Sequence, residues 1–401
     1  MNTPSTSSSM RVLIVGAGIG GLTLARALQR RGIQPDIIDH AHELAPVGAG
    51  IALGLNAMLV YRGLGLRDAI LDRGMQIRHA SIRTATGKLL TQTDPSSLTA
   101  TLDPSMLSFV TIHRGELHTA LIDGVGGIER IRLNTTVDRL DDEDRRVNVT
   151  FSDGRREHYD VVVGADGIHS KVRDLLLGPT VLQYSGYTCW RVIAPITPEH
   201  GTVESWGRGQ RIGVVPVRGD RAYAFLVANA PPRQPAPWSD IESFRHYWRD
   251  FTGDPGALVH SITDLGMLIH HDLDELPWLP AWYRGRVVLL GDAAHAMTPN
   301  MGQGAAMSIE DAWVLAEELA AKGAAEVPAA LRSYSDRRRD RVKWVQDTSR
   351  FIGRIAQWSG RFACAFRNFA VWAAPARSTM KVMQRLVMDA PLTPAQAMSA
   401  Q

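Results

Sequence analysis

The stretch Arg11-Val-Leu-Ile-Val-Gly-Ala-Gly-Ile-Gly-Gly21 decides how this chain folds. Its first part, Val12 to Val15, is apolar and largely β-branched, which is typical of a strand buried on both faces. Apolar residues at helical spacing follow from Leu22 to Leu28, and Gly32 stops the predicted helix. Asp36 to Asp39 is predicted as a second strand. The order of strand, glycine turn, helix and strand predicts a nucleotide-binding unit.

The glycines of this turn have separate physical tasks. Gly16 permits a tight turn, Gly18 lets backbone N–H groups approach a pyrophosphate, and Gly21 lets the helix pack against the strand. The N-terminal end of the helix then faces the anion. Asp39 lies 23 residues after Gly16, where a carboxylate can accept hydrogen bonds from ribose hydroxyls. The turn predicts an ADP moiety as ligand but does not decide between FAD and a nicotinamide coenzyme.

Composition and charge narrow the class of protein. The 401 residues are 45% hydrophobic, which is enough for a large core divided between two domains. Acidic and basic residues are mostly interspersed and the formal net charge is +3, so the sequence gives no sign of nucleic-acid binding. The one basic cluster, Arg337 to Arg341, is predicted to be a solvated helix face.

The cysteines and the apolar segments of the sequence indicate the cellular compartment of the protein. Cys189 and Cys364 form no C-x-x-C pair, which argues against a disulfide scaffold, a thiol redox pair and a metal site. Residues 1–10 lack the cationic start of a signal peptide. No uncharged apolar stretch reaches the roughly 18 to 20 residues of a membrane span. We therefore expect a cytoplasmic protein without stable membrane insertion.

Two later strands also end in motifs that combine glycine and aspartate. Residues 159–163 lead into Gly164-Ala-Asp-Gly-Ile-His-Ser-Lys-Val-Arg173. Residues 286–290 lead into Gly291-Asp-Ala-Ala-His295, and a long amphipathic helix begins after Gly304. The acidic residues of this helix are predicted to lie largely on its solvent side, and they are Glu310, Asp311, Glu317 and Glu318.

The three motifs at residues 16–21, 164–173 and 291–304 resemble, in this order, the fingerprints of the single-component, class A flavoprotein monooxygenases. That family includes salicylate, hydroxybenzoate and urate hydroxylases, and the likeness runs over about residues 10 to 350. No second G-x-G-x-x-G motif follows a later strand, which disfavours reductases with two Rossmann domains and Baeyer–Villiger enzymes. The resemblance implies FAD as cofactor, with NADPH or NADH as a transient co-substrate.

The resemblance also implies cofactor roles for individual residues. Asp39 would bind the ribose, Arg114 the phosphate and flavin region, and Asp292 the ribityl and pyrophosphate segment. The helix after the loop 299–304 would direct backbone N–H groups and its positive dipole end at the flavin. The full set of implied cofactor contacts is Gly16, Ala17, Gly18, Ile19, Gly20, Gly21, Asp39, Gly50, Ile51, Arg114, Asp166, Gly167, Gly291, Asp292, Pro299, Gly302 and Gly304.

The fold implied by the resemblance is α/β, with a Rossmann-like FAD-binding domain interleaved with a mostly antiparallel β-sheet substrate domain. C-terminal helices complete it. The FAD-binding domain is predicted at residues 9–72, 104–180 and 276–343, and the substrate-binding sheet at 73–103 and 181–275. Residues 344–390 are predicted as the C-terminal helices, and 1–8 and 391–401 as disordered.

Alternating residues between Val181 and Leu268 predict strands of that sheet at 186–192, 211–217 and 221–227. In the resembling family such a sheet covers the flavin and lines the substrate pocket. The candidates for polar pocket groups are Arg191, Arg211, Tyr223 and His271. The sequence assigns no catalytic base.

The activity implied is that of an FAD-dependent monooxygenase, which uses NAD(P)H and O2 to hydroxylate a small aromatic or heteroaromatic molecule through a flavin C4a-hydroperoxide. Two alternatives stay open. One is an FAD-dependent reductase or dehydrogenase that inserts no oxygen, and the other is a flavin-bound protein that sequesters a ligand without oxidising it. Epoxidation and heteroatom oxidation, and a monomer or a homodimer, also stay open.

Overall fold

The structure is a computed structural model, and it describes residues 10–44, 49–77, 79–93, 109–374 and 376–392. The strands in these residues are β1 (Val12–Val15), β2 (Asp36–Ile38), β3 (Gly50–Leu53), β4 (Met75–Gln76), β5 (Ala80–Thr84), β6 (Leu89–Thr93), β7 (Val110–His113), β8 (Ile131–Arg132), β9 (Val137–Glu143), β10 (Arg146–Phe151), β11 (Arg156–Tyr159), β12 (Val161–Gly164), β13 (Gln183–Ala194), β14 (Thr202–Trp206), β15 (Gln210–Val217), β16 (Arg221–Asn229), β17 (Ile269–Glu275), β18 (Tyr283–Arg284) and β19 (Val287–Leu289).

The helices of the same residues differ widely in length. They are α1 (Ile19–Gln29), α2 (Leu55–Gly63), α3 (Arg67–Arg73), α4 (Arg114–Val125), α5 (Lys171–Leu177), α6 (Ile241–Tyr247), α7 (Asp254–Ser261), α8 (Asp292–His295), α9 (Gly304–Lys322), α10 (Val327–Ala356), α11 (Arg361–Ala373) and α12 (Ala376–Met388). No helix among them is both long enough and apolar enough to cross a bilayer.

The first sheet contains the predicted strand, turn, helix and strand. Its order is β18-β19-β12-β1-β2-β8, and every neighbouring pair is parallel except β18 and β19. Strands β1, β12 and β19 lead into Gly16, Asp166 and Gly291, respectively. Because parallel strands have their carboxyl ends at one edge of a sheet, the three motifs meet along that edge.

A second sheet of seven strands has the order β17-β13-β16-β15-β14-β5-β6, and it is antiparallel except for the pair β14 and β5. The predicted strands 186–192, 211–217 and 221–227 lie within β13, β15 and β16, so the mostly antiparallel sheet is confirmed. Strand β14 was not among the predicted strands. The division into domains at the residues given above stays a prediction.

The two faces of this sheet pack differently, because side chains alternate along each strand. One face, with Trp190, Ile212 and Leu226, packs on Phe244 and Trp248 of the segment containing α6 and α7. The opposite face carries Arg191, Arg211 and Tyr223, and it contacts Gly50 through Tyr223 and Asn300 through Arg211. Two three-stranded antiparallel sheets, β3-β7-β4 and β11-β10-β9, complete the strand pairing of the described residues.

Three predictions about charged residues and the tail are wrong. Glu310 and Asp311 of α9 are fully buried and Glu318 is 7% exposed, so these acids do not lie on the solvent side. In the basic cluster, Arg338 is buried beside them instead of solvated. The tail predicted as disordered starts too early, because Leu392 is buried in the main core, while 1–8 and 393–401 lie outside the described residues.

Candidate active site

The glycine turn brings the first motif against the second. Gly16 has φ +109°, and a Cβ atom there would overlap the carbonyl oxygen of Ala165. At Gly21 a Cβ atom would overlap the carbonyl oxygen of Gly16, so α1 packs close to β1. At Gly18, by contrast, no atom lies within 4 Å of an added Cβ. Gly16 and Gly21 are therefore required by the protein's own packing, whereas Gly18 borders open space.

Helix α1 begins at this open space without a side-chain cap. Its N-cap, Gly18, makes no side-chain hydrogen bond, and its first turn contains no acidic residue. The amide groups of the first turn are thus left for an external acceptor, and the positive end of the helix dipole favours an anion.

Asp39 lies beside this turn at the end of β2. Its Oδ2 accepts a hydrogen bond from the Ala17 amide at 2.7 Å, and its Oδ1 accepts one from the Ala41 amide at 2.8 Å. His118 of α4 contacts the same turn through Nε2, 2.7 Å from the Ala17 carbonyl oxygen. A carboxylate has about four acceptor positions, so Asp39 retains acceptors for a ribose.

The second motif is built around Asp166. The Ser170 hydroxyl donates to Asp166 Oδ1 at 2.5 Å and the Val172 amide donates to Oδ2 at 3.0 Å. Burial raises the pKa of the Asp166 carboxyl, while these hydrogen bonds oppose the rise. Arg173, which is 2% exposed, donates to the carbonyl oxygens of Ile168 at 2.9 Å and Ala293 at 3.3 Å. Arg173 therefore joins the second motif to the third.

The third motif places Asp292 at the surface and an uncapped helix behind it. The Asp292 side chain is exposed and makes no hydrogen bond or ion pair with any residue of the described ranges. Pro299 and Gly302 are exposed, and Gly302 has φ +62°. Helix α9 begins at Gly304 without a side-chain cap and without an acid in its first turn. This end of the site thus offers backbone donors near a carboxylate.

A buried ionic network lies directly under the third motif. Asp311 Oδ2 accepts hydrogen bonds from the Gly291 amide at 3.2 Å and lies 2.6 Å from His295 Nε2, while its Oδ1 accepts from Arg338 Nε at 2.7 Å. Burial opposes ionisation, but His295 and Arg338 outweigh it and lower the pKa of Asp311. The network fixes the turn at Gly291, where α8 starts.

The neighbouring carboxylate, Glu310, links the network to the loop before α9. It accepts from Arg338 at 2.6 Å, from Arg341 at 2.7 Å and from Asn56 Nδ2 at 2.6 Å. Asn56 also donates to Gln303 Oε1 at 3.0 Å, and Gln303 is the N-cap residue of α9. Burial opposes ionisation of Glu310 too, but the two guanidinium groups lower its pKa.

Gly50, Arg114 and Tyr223 lie where the small sheet β3-β7-β4 meets the seven-stranded sheet. Gly50 of β3 pairs with His113, and the Arg114 amide donates to the Ala49 carbonyl oxygen at 3.1 Å. Tyr223 covers Gly50 so closely that an added Cβ atom would lie 2.5 Å from the Tyr223 Cβ. The Arg114 side chain is exposed and has no hydrogen-bond or ionic partner in the described ranges. It is available to a ligand phosphate at this junction.

Two of the four candidate pocket residues form a pair. Arg191 of β13 and Tyr223 of β16 lie on the same face of the sheet, close enough for the guanidinium and the phenol to interact, and the Cys189 thiol is close enough to interact electrostatically with both. Burial raises the pKa of Tyr223 well above its usual value, so its hydroxyl stays protonated. The pair offers an array of hydrogen-bond donors on an otherwise largely apolar sheet face.

The other two candidates lie elsewhere. Arg211 is 2% exposed and donates to Glu204 at 3.2 Å and to Asn300 Oδ1, so it fastens the sheet to the loop of the third motif. His271 lies on the edge strand β17 opposite Cys189. Burial and the charge of Arg191 lower the pKa of His271. Arg211 therefore positions the loop, whereas the His271 side chain is exposed at the edge of the sheet.

Several residues of the site were missed in the sequence. Asn56 and His118 have partners on other elements, so their contacts carry no local signal, whereas Gln303 lies within the third motif and was given no role. Arg173 belongs to the quoted second motif, and its fixed spacing after Asp166 was the available signal. No group of His, Cys, Asp or Glu side chains in the described ranges has the arrangement of a metal site.

The arrangement fits a dinucleotide such as FAD. The features that fit it are the open space over Gly18, two helix N-termini without side-chain caps, and the side chains of Arg114 and Asp292, which have no partner in the described ranges. Contacts of Tyr223 with Gly50 and of Arg211 with Asn300 bring the sheet face that carries Arg191 and Tyr223 against these segments.

Comparisons with known proteins agree with the interpretation of this site as one that binds FAD. The family model described as an FAD binding domain matches residues 9–349. The 2-heptyl-3-hydroxy-4(1H)-quinolone synthase of Pseudomonas aeruginosa is 36% identical over 94% of this chain and 97% of its own length. The aurachin C monooxygenase/isomerase of Stigmatella aurantiaca is 38% identical over 90% of this chain and 93% of its own.

A solved structure resembles the whole molecule. Klebsiella pneumoniae HpxO, complexed with FAD and uric acid, superposes with a TM-score of 0.85 at 26% identity, covering 95% of this chain and 97% of that one.

Proposed function

Because this chain belongs to the class A FAD-dependent aromatic hydroxylases, we propose that it hydroxylates an oxo- or hydroxy-substituted bicyclic nitrogen heteroarene that carries an apolar chain. The predicted family, the FAD cofactor and the FAD-dependent monooxygenase activity on an aromatic substrate are confirmed. The reductase and ligand-sequestering alternatives are not favoured. The proposal concerns the substrate and the residues that bind it.

The name of one relative supports this substrate class, because the quinolone synthase is named for a hydroxylated 4(1H)-quinolone that carries a heptyl chain. Both the quinolone synthase and the aurachin C monooxygenase/isomerase match nearly the full chain at more than a third identity. The overall reaction proposed consumes one NAD(P)H, one O2 and one proton, places one oxygen atom in a C–H bond of the substrate and releases the other as water. Bound FAD supplies the reducing equivalents from NAD(P)H and the activation of O2.

The Arg191–Tyr223 pair is the observation that carries the proposal. An electron-rich ring is attacked by electrophilic oxygen most easily when its oxo group has anionic character. A guanidinium beside that oxygen stabilises the anion, and a protonated phenol adds a second donor. The pair also orients the ring, because both donors are fixed on neighbouring strands.

The site also contributes by excluding water. Gly50 lies under the Tyr223 ring, and Arg211 fastens the sheet to Asn300 in the loop before α9. These contacts close the junction between the sheet and the FAD-binding segments on two sides. Exclusion of water limits side reactions of activated oxygen.

The test is turnover of FAD-loaded enzyme with NADPH or NADH and labelled O2. The panel contains 2-heptyl-4(1H)-quinolone, the same quinolone without its chain, 6-hydroxynicotinate and urate. We expect one labelled oxygen in the product of the alkylated quinolone and a higher kcat/KM for it than for the compound without a chain. Faster labelling of urate or 6-hydroxynicotinate would overturn the substrate class, and substrate turnover without label would overturn the monooxygenase reaction.

A further inference from the structure

Helix α11 presents an apolar face to the outside of the molecule. Phe362 is 88% exposed, Phe366 65%, Phe369 61% and Trp372 58%. The three phenylalanines recur at intervals of four and three residues, so they lie along one face of the helix. An ordinary surface helix has the opposite polarity, with its charged residues in water. Such a row of large apolar side chains marks an interaction surface.

The inner side of the same helix is held by polar contacts. The buried residues of α11 are Cys364 and Arg367. Arg367 donates to the carbonyl oxygens of Ala356 at 2.8 Å and Gly207 at 2.9 Å. The helix is thus fixed in this orientation by its arginine, and it does not turn its phenylalanines inward.

The charge of the surrounding segment has one sign. The 41 residues from Thr348 to Met388 contain seven Arg and Lys residues and no Asp or Glu. Among them, Arg354, Arg361 and Lys381 are exposed, and within the described ranges none of the three forms an ion pair. The segment therefore combines exposed aromatic side chains with unneutralised positive charge.

The exposed aromatic side chains and the positive charge together distinguish between two possible partners of α11, a second copy of this chain and a lipid surface. If a second copy bound symmetrically, the same patch of both copies would meet, and positive segments without acids would face each other. An anionic lipid surface is complementary instead, because it accepts aromatic side chains at the headgroup level and attracts Lys and Arg. No helix of the described residues can span a bilayer, so binding would be peripheral.

We propose that α11 docks on the surface of an anionic lipid bilayer, with Phe362, Phe366, Phe369 and Trp372 entering the interface and the exposed cations of residues 348–388 contacting headgroups. This inference does not depend on which substrate the enzyme hydroxylates.

Co-sedimentation of the full-length, FAD-loaded enzyme tests the proposal. The vesicles are phosphatidylcholine alone or phosphatidylcholine with phosphatidylglycerol. We expect binding to the anionic vesicles that falls with added salt. In the variant F362S/F366S/F369S, we expect binding to drop by about tenfold or more. The matched control is Val181→Ser, because Val181 is 84% exposed but lies outside this segment, and its binding should equal that of the unaltered protein.

A second measurement locates the contact. Lipids brominated in their acyl chains should quench part of the tryptophan fluorescence of the unaltered enzyme, and Trp372→Phe should remove most of that quenching. Bound FAD should be equal in all variants, which shows that they fold. Binding that the triple variant leaves unchanged would overturn the proposal, as would absence of binding to both kinds of vesicle. A dimer that the triple variant dissociates, without vesicle binding, would assign the face to a second copy instead.

Discussion

Arg338 Nε donates a hydrogen bond of 2.7 Å to Asp311 Oδ1, and both side chains are at most 1% exposed. The pair joins α10 to α9 in the interior of the FAD-binding part of the molecule. Asp311 also accepts from the Gly291 amide, so the ion pair reaches the turn of the third motif. The ion pair between α9 and α10 is thus connected to the third motif, which the family resemblance assigns to the cofactor.

Breaking this pair should destabilise the protein and loosen its cofactor. In Asp311→Asn the buried Arg338 loses a charged partner, and loss of one member of a buried ion pair costs about 3–5 kcal/mol. We expect a lower midpoint of chemical denaturation and faster release of FAD, measured by the rise of flavin fluorescence. The control is Lys343→Ala, which removes an exposed pair with Asp347 at 2.9 Å and should change the stability by about 1 kcal/mol or less. Equal effects of both variants would contradict this account.

Gly18 and Gly21 should fail in different ways when changed to alanine. An added Cβ at Gly18 meets no protein atom, so Gly18→Ala should leave the apoprotein as stable as before. If the pyrophosphate lies over this residue, the methyl group should weaken FAD binding, by about tenfold for a clash of about 1.4 kcal/mol. Titration of apoprotein with FAD measures this.

Gly21→Ala is the comparison for that experiment. Its Cβ would overlap the Gly16 carbonyl oxygen, so the apoprotein itself should be destabilised. Thermal unfolding without FAD distinguishes the two variants. An apoprotein of Gly18→Ala that unfolds as early as that of Gly21→Ala would contradict the assignment of Gly18 to the cofactor.

The parts of the site that were predictable from the sequence are local. The glycine turn, Asp39 and the two later motifs each occupy a few consecutive residues after a strand, and a parallel sheet brings strand ends together. The buried acids were not predictable in this way. Glu310 and Asp311 look like solvent-side residues of an amphipathic helix, because their partners Arg338 and Arg341 follow 27 to 31 residues later on another helix.

The C-terminal helices show the same limit. The spacing of apolar residues predicted amphipathic helices, and α10, α11 and α12 are present. Periodicity shows which side of a helix is apolar, but it does not show whether that side faces the core or the outside of the molecule. For α11 the direction depends on Arg367, whose two terminal nitrogens donate to the backbone carbonyl oxygens of Ala356 and Gly207.

Arg191 should act on the substrate and not on the fold. In Arg191→Gln the guanidinium charge beside Tyr223 is lost, and a hydrogen bond to a charged group is worth about 1.5–3 kcal/mol. We therefore expect kcat/KM for an oxo-heteroarene to fall about tenfold to a hundredfold, with bound FAD unchanged. Arg221→Gln is the control, because Arg221 is exposed at the start of β16. If FAD content falls together with kcat/KM, Arg191 is a structural residue.

Arg211→Lys should uncouple NAD(P)H consumption from product formation. Arg211 donates to Asn300 in the loop through one terminal nitrogen and to Glu204 of the sheet through the other, and lysine cannot reproduce this planar fork. A loosened junction admits water, so more NAD(P)H should be oxidised per hydroxylated product. The ratio of NAD(P)H consumed to product measures this, with the exposed Arg208→Lys as control. An unchanged ratio would show that the contacts of Arg211 with Asn300 and Glu204 do not exclude water from the site.

Acid should weaken the fold through the buried carboxylates. The pKa of Glu310 is lowered although burial opposes this, because Arg338 and Arg341 stabilise its charge, and Asp311 behaves likewise beside His295 and Arg338. A carboxylate whose pKa is lower in the folded than in the unfolded state stabilises the fold above its unfolded pKa. That stabilisation is lost as the pH falls through the folded pKa.

The stabilisation that Glu310 and Asp311 provide should therefore be constant near neutral pH. It should decline below about pH 4, where the carboxylates of the unfolded chain bind protons. Denaturation measured at a series of pH values gives the slope of the unfolding free energy. Asp311→Asn removes one of these groups, so its slope in the acid range should be smaller than that of the unaltered protein. Asp347→Asn removes an exposed carboxylate and should leave the slope nearly unchanged. Equal slopes for Asp311→Asn and the unaltered protein would mean that another group causes the acid loss.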